Sequence, residues 1–177
     1  MARPDRDLIG QFIDAACEDH EKARELLSQH PDLAQARWIH GETALHFLAI
    51  ENYVEGVRFL AESGADVNAP NAFGDTPLID VAVLGNDAIA EILLAYGADP
   101  NATSHTVDNV LHCAVRSGNP RLVRMLLQAG ADPNYRTDSE ETVFSAMPED
   151  PERRIEIIAI LDEYGAHRGD PDSNLDD

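Results

Sequence analysis

A chain of 177 residues has room for one ordinary domain or a short array of small units. With 44% hydrophobic and 26% charged residues it can build a core, which excludes a chain disordered throughout. Thirteen Lys and Arg stand against 33 Asp and Glu, a formal net charge of −20, and a surface that acidic repels phosphate, so nucleic acid and anionic membranes are not expected as partners.

The opening residues, Met1 to Asp7, run into no apolar stretch, so no secretory leader is expected. No apolar run approaches the roughly eighteen residues of a membrane span, and the expected compartment is the cytoplasm. Cys17 and Cys113 fall in no CxxC or CxxH spacing; they are expected as buried small apolar residues, with no disulfide and no metal.

From about residue 7 to 40, Phe12, Ala15, Ala16, Leu26 and Leu27 keep helical phase and predict a first pair of helices, with His30-Pro31-Asp32-Leu33 as its closing turn. A second unit, about 41–73, opens a helix at Thr43-Ala44-Leu45-His46, continues with Val57 and Leu60 on the next, and stops at Gly64. A third, about 74–107, opens at Thr76-Pro77-Leu78, breaks at Gly85-Asn86, carries Ile89, Ile92 and Leu93, and stops at Gly97. A fourth, about 108–140, opens at Asn109-Val110-Leu111-His112, breaks at Gly118-Asn119 and carries Leu122, Met125 and Leu126 before Gly130. The Thr and Asn residues cap helix starts, Pro77 and Pro120 fit the first helical position, and the late glycines suit a left-handed helix end. The last unit, about 141–168, has a first helix cut short at Met147-Pro148. A fresh start follows at Asp150-Pro151-Glu152, with Ile155, Ile158 and Leu161 expected on the apolar side. Residues 169–177 lack apolar content and are expected to form a disordered acidic tail.

These units are copies. Gly64-Ala65-Asp66, Gly97-Ala98-Asp99 and Gly130-Ala131-Asp132 recur every 33 residues, Asn68, Asn101 and Asn134 keep the same step, and so do Phe12, Leu45, Leu78, Leu111 and Phe144. A fourth triplet, Gly165-Ala166-His167, follows after 35. A 33-residue unit with Thr-Pro-Leu-His early and Gly-Ala-Asp-Val-Asn late resembles the ankyrin repeat, and the resemblance covers about residues 7 to 167. Ile79 in place of His and Val110 in place of Pro are local departures. The composition, rich in alanine and arginine with Lys22 as the single lysine, has a bacterial look.

The resemblance implies an all-α solenoid of about five helix-turn-helix repeats with β-hairpin-like turns, stabilised by stacking unit on unit. It also implies recognition on the concave side, made of turn tips and the exposed side of each first helix. Carried across, that surface is Trp38, Ile39, His40, Glu42, Ile50 and Glu51; then Ala72, Phe73, Asp75, Val83 and Leu84; then His105, Thr106, Asp108, Arg116 and Ser117; and last Asp138, Ser139 and Glu141. Ile39, Ile50, Phe73, Val83 and Leu84 are expected to face solvent as an apolar centre, with Glu42, Glu51, Asp75 and Asp108 as its charged rim. The partner expected for such a face is another protein presenting apolar anchors flanked by Lys or Arg, and the chain is expected as a monomer.

Catalytic readings find little support. The resemblance gives His46 and His112 a structural hydrogen bond to turn backbone, and no His stands three or four residues from another, so no helical metal face exists. GxSxG, HExxH, P-loop and GxGxxG patterns are absent. An active site is expected to interrupt the period at one place, and the middle repeats read as regular. The expectation is a non-catalytic interaction module without cofactor, acting as inhibitor, adaptor or regulatory subunit. Two alternatives stand beside it: an enzyme or small-ligand-binding protein with a site in the groove, and a scaffold without a dedicated partner.

Overall fold

The computed structural model describes residues 5–105 and 108–168. The expected tail, 169–177, and Thr106 of the expected surface lie outside the described residues, as do the first four positions. Nine α-helices follow one another, with no strand among the described residues. Four antiparallel pairs are α1 (Arg6–Glu18) with α2 (His20–Gln29), α3 (Ala44–Ile50) with α4 (Val54–Glu62), α5 (Pro77–Leu84) with α6 (Asp87–Ala95), and α7 (Val110–Ser117) with α8 (Pro120–Gln128). In the fifth unit the first helix shrinks to a 3₁₀ turn, Val143–Ala146, followed by α9 (Pro151–Glu163). First helices pack in one row, α1 on α3 on α5 on α7, and second helices in another, α4 on α6 on α8 on α9. No described helix is long and apolar enough to cross a membrane.

Caps start these helices where the sequence places them. The Asn86 and Asn119 side chains accept from the Ile89 and Leu122 amides, Asn109 accepts from His112, and Asp150 accepts from Arg153. Pro77, Pro120 and Pro151 each open a helix. Between the two rows lies one continuous core in which Phe12, Leu45, Leu78 and Leu111 are fully buried. The two rows approach closely at α1 and α4 because residue 56 is glycine: a Cβ there would stand 2.8 Å from the Ala16 carbonyl oxygen of α1.

The terminal repeat departs from expectation in two places. Phe144, the last of the periodic apolar series, is only half-buried beneath the Arg168 guanidinium, and its neighbour Val143 enters the core. Of the three residues expected inward on α9, Leu161 is buried, Ile158 is half-buried and Ile155 is 70% exposed, while Ile157 and Ile160 enter the core. Ile157, Ile160 and Leu161 stand 35 residues after Leu122, Met125 and Leu126, the same step as Gly165 after Gly130. So α9 packs on α8 in the register of the earlier second helices, and Ile155 falls outside it. Cys113 is buried and burial pushes its thiol up to about 11, while Cys17 is only half-buried.

Successive repeats are joined by a polar ladder. The Asn68 side chain donates to the Gly97 carbonyl at 2.9 Å and accepts from the Asp99 amide at 2.8 Å. Asn101 does the same with Gly130 and Asp132, and Asn134 with Gly165 and His167. Gln35 supplies longer versions of both bonds, 3.3 Å each, to Gly64 and Asp66. Asp66, Asp99 and Asp132 each accept from the amide two residues on, which fixes the turn that presents the asparagine.

Candidate docking surface

The hairpins are made by backbone bonds that close over three intervening residues. Trp38 donates to the Glu42 carbonyl at 2.7 Å, Asn71 to Asp75 at 2.8 Å and Thr137 to Glu141 at 3.1 Å. The Asn71 side chain stiffens its own tip by accepting from the Phe73 and Asp75 amides. Neighbouring tips are tied directly: the Ala72 amide donates to the His40 carbonyl and the His105 amide to the Phe73 carbonyl. Arg37 reaches the Gly41 and Pro70 carbonyls from below. The tips therefore form one braced row beside the outer ends of α3, α5 and α7.

On that row the apolar side chains face water. Ile39, Ile50, Phe73, Val83 and Leu84 are between 39 and 58% exposed. The His40 ring leans on Phe73 with centroids 5.8 Å apart. Trp38 belongs as much to the interior as to the surface: it is half-buried and packs edge-on against Phe47. Glu51 is exposed at the end of α3, whereas Glu42 and Asp75 are half-buried.

Two hollows divide the face. One, about 290 Å³, is lined by Ile50, Asp75, Ile79, Asp80, Val83 and Leu84. The other, about 360 Å³, is polar and takes in His105, Asp108, Arg116, Tyr135, Asp138, Ser139 and Glu141. At its edge Arg116 pairs with Asp108 at 2.8 Å. On the outer row Arg121 pairs with Asp87 and Glu91, and Arg124 with Glu163, while Arg136 donates to the Glu140 carbonyl of the last tip. Among the described residues no group of His, Cys, Asp and Glu is placed to hold a metal.

His46 fills the structural role implied for it. Its Nδ1 accepts from the Thr43 amide, which leaves Nε2 to donate to the Asp75 carbonyl at 3.0 Å, and burial holds its pKa below the ordinary value. His112 departs from expectation. It meets Asn109 locally through Nδ1, but its buried Nε2 has no hydrogen-bond partner.

Asp80 was missed by sequence reasoning, although a signal for it exists. It stands one 33-residue step from the uncharged Phe47 and Cys113 of the flanking repeats, and the one other acid in that phase, Asp14 of the first unit, is exposed. Burial, then the charges of Asp75 and Glu42, push its carboxyl up to about 7. Together with Ile79, which has no ring nitrogen to send across to the next tip, it makes the first helix of the third repeat irregular at two adjacent positions.

Known proteins place the chain among repeats of this kind. A family model described as ankyrin repeats, three copies, matches residues 12–104 and 70–137. The serine/threonine-protein kinase VIK of Arabidopsis thaliana is 35% identical over 75 residues, 42% of this chain and 17% of that protein. The probable E3 ubiquitin-protein ligase XBOS33 of Oryza sativa subsp. japonica is 34% identical over 88 residues, 48% of this chain and 17% of that protein. The chain thus matches about a sixth of the length of each. The stacked helix pairs, the hairpin tips and the match over most of its length agree: the chain belongs to the ankyrin-repeat family, whose repeats generally mediate protein–protein interaction.

Proposed function

We propose that this protein docks another protein on its hairpin tips and the outer faces of α3 and α5, and acts by occupancy, as an inhibitor, adaptor or regulatory subunit. The supporting observation is that Ile39 and Phe73 on neighbouring tips, and Ile50, Val83 and Leu84 around one hollow at the C-terminal ends of α3 and α5, are all exposed in a chain of net charge −20. Apolar side chains left in water on adjacent repeats, rimmed by Glu42, Glu51, Asp75 and Asp108, have the layout of an interface with anchors inside and steering charges outside. The partner presents apolar anchors flanked by Lys or Arg. The kinase and ligase activities named for the two relatives belong to those proteins and supply no step here.

The test is capture of a partner by the intact chain and by a Phe73→Glu/Leu84→Glu variant. Loss of at least about a hundredfold in affinity is expected, since two anchors carry interface energies of about 1–3 kcal/mol each. A partner bound equally well by the variant would move the interface elsewhere.

A further inference from the structure

The smaller hollow is more specific than an apolar patch. Four of its lining residues, Ile50, Ile79, Val83 and Leu84, are aliphatic, and the other two are the carboxylates Asp75 and Asp80. Oδ1 of Asp75 and Oδ2 of Asp80 are buried without a hydrogen-bond partner. A buried oxygen left so costs about 1–3 kcal/mol, more when charged. Both atoms are closed to solvent, so a guest meets the carboxylates through their other oxygens and relieves the buried ones by charge alone. Among the described residues no cation is paired with either carboxylate: Arg58, on α4 in the other row of helices, is the only Lys or Arg between residues 41 and 107, Arg37 is spent on the Gly41 and Pro70 carbonyls, and Arg116 is engaged by Asp108.

We propose that this hollow seats one arginine side chain of the docked polypeptide, its methylenes against the four aliphatic residues and its guanidinium on Asp75 and Asp80. The proposal rests on the docking reading above and adds the chemistry of one anchor. Charge complementarity selects a cation, and the apolar walls select arginine over lysine. A guanidinium is more weakly hydrated than an ammonium, so it loses less on entering, and its planar fork of donors spans two carboxylates.

Proton linkage follows from the surroundings of Asp80. Asp75 and Glu42 face it from the hairpins. From α3, His46 donates to the Asp75 carbonyl; from α7, Cys113 and Arg116 line the adjoining hollow with Val83; on α6, Asp87 and Glu91 are held by Arg121. The Asp80 carboxyl, raised to about 7, is protonated in much of the free protein at neutral pH. A seated cation favours the ionised form, so entry releases a proton and affinity climbs as pH rises through 7.

The probes are N-acetyl-arginine methylamide, its lysine counterpart and its neutral citrulline counterpart, each titrated to about 20 mM, the range in which a single side chain saturates. Methyl NMR of the intact chain follows Ile50, Ile79, Val83 and Leu84 at pH 5.5 and pH 8 (about one and a half units below and one above the Asp80 value). Expected are saturable shifts of these methyls, with arginine about tenfold tighter than citrulline at pH 8, tighter than lysine, and weaker at pH 5.5. Asp80→Asn, close in shape to the protonated acid and checked for an unchanged amide spectrum, is expected to lose about tenfold at pH 8 and the pH dependence with it. Absent shifts, equal binding of citrulline, tighter binding of lysine, or an unaffected Asn variant each overturn the proposal. Failure of the docking reading shows separately, as partner capture indifferent to Phe73→Glu/Leu84→Glu.

Discussion

At the base of the hairpins, repeats two to four use the same residues for the same bonds, whereas at the hairpin tips and on the outer ends of the first helices no two repeats carry the same side chains. Asn68, Asn101 and Asn134 each bridge to the next Gly-Ala-Asp or Gly-Ala-His turn with almost unvarying distances. One step along the chain, Ile39 and Phe73 occupy neighbouring tips, and Ile50, Val83 and Arg116 occupy one phase on three helices. The base is saturated with internal partners, and the tips hold apolar groups in water. Positions that every repeat needs alike build the stack, and positions free to differ are available to a partner.

The sharpest way to break that contrast is to truncate one residue of each kind. Leu78 is fully buried in the periodic row, and Leu78→Ala is expected to cost about 2–5 kcal/mol in urea unfolding. Phe73, five residues earlier and 45% exposed, is expected to change stability by less than about 0.5 kcal/mol when replaced by Ala. Comparable losses at the two sites would mean that the tips are structural after all.

A smaller effect sharpens the account of the base. Asn101→Ala removes the bond to the Gly130 carbonyl and the acceptor for the Asp132 amide. Two partly exposed bonds of this kind give an expected loss of about 1–2 kcal/mol. Hydrogen exchange is the discriminating measurement: the Asp132 amide is expected to lose protection far more than Asp99, which Asn68 holds. Equal loss at both amides would point to general destabilisation instead of a severed link.

Much of this architecture was legible because it repeats. Leu45, Leu78 and Leu111 announce the core by phase, and capping residues announce helix starts by chemistry that acts within a few residues. The exposure of Ile39, Ile50, Phe73, Val83 and Leu84 was readable for the same reason, since phase fixes which way a side chain points. The end of the array was not. Two extra residues before α9 hide its register: only when the 35-residue step of Gly165 is carried back through the helix do Ile157 and Leu161 answer Leu122 and Leu126, leaving Ile155 outside. Asp80 escaped because regularity was judged from the signature residues, Thr-Pro-Leu-His and Gly-Ala-Asp. A charge at the apolar step of Phe47 and Cys113 shows only when every position of the unit is compared. The partnerless Nε2 of His112 depends on the path of the next tip, which the local motif does not encode.

The smallest effect expected lies at a tip where conformation and charge compete. Gly41 and Gly74 hold φ of +75° and +87°, and two steps beyond Gly74, at the same position of the last hairpin, Glu140 is held at +61°. A side chain with a Cβ pays for that left-handed geometry, whereas glycine does not, and Glu140 bonds here through its own backbone: its amide donates to the Thr137 carbonyl and its carbonyl accepts from the Arg136 guanidinium. Glu140→Gly keeps those bonds and is expected to raise stability by about 0.5–1 kcal/mol, after allowing for the greater freedom of glycine in the unfolded chain. Removing an acid beside Asp138 and Glu141 from a chain of net charge −20 would also help, so the gain alone does not identify its cause. Glu140→Ala separates the two, since it removes the charge and keeps the Cβ. If Ala recovers the whole gain, repulsion at the tip is the dominant cost. If only Gly recovers it, the last hairpin carries a conformational strain at the position where Gly41 and Gly74 avoid it, alongside the left-handed His40 at φ +53° in the first hairpin.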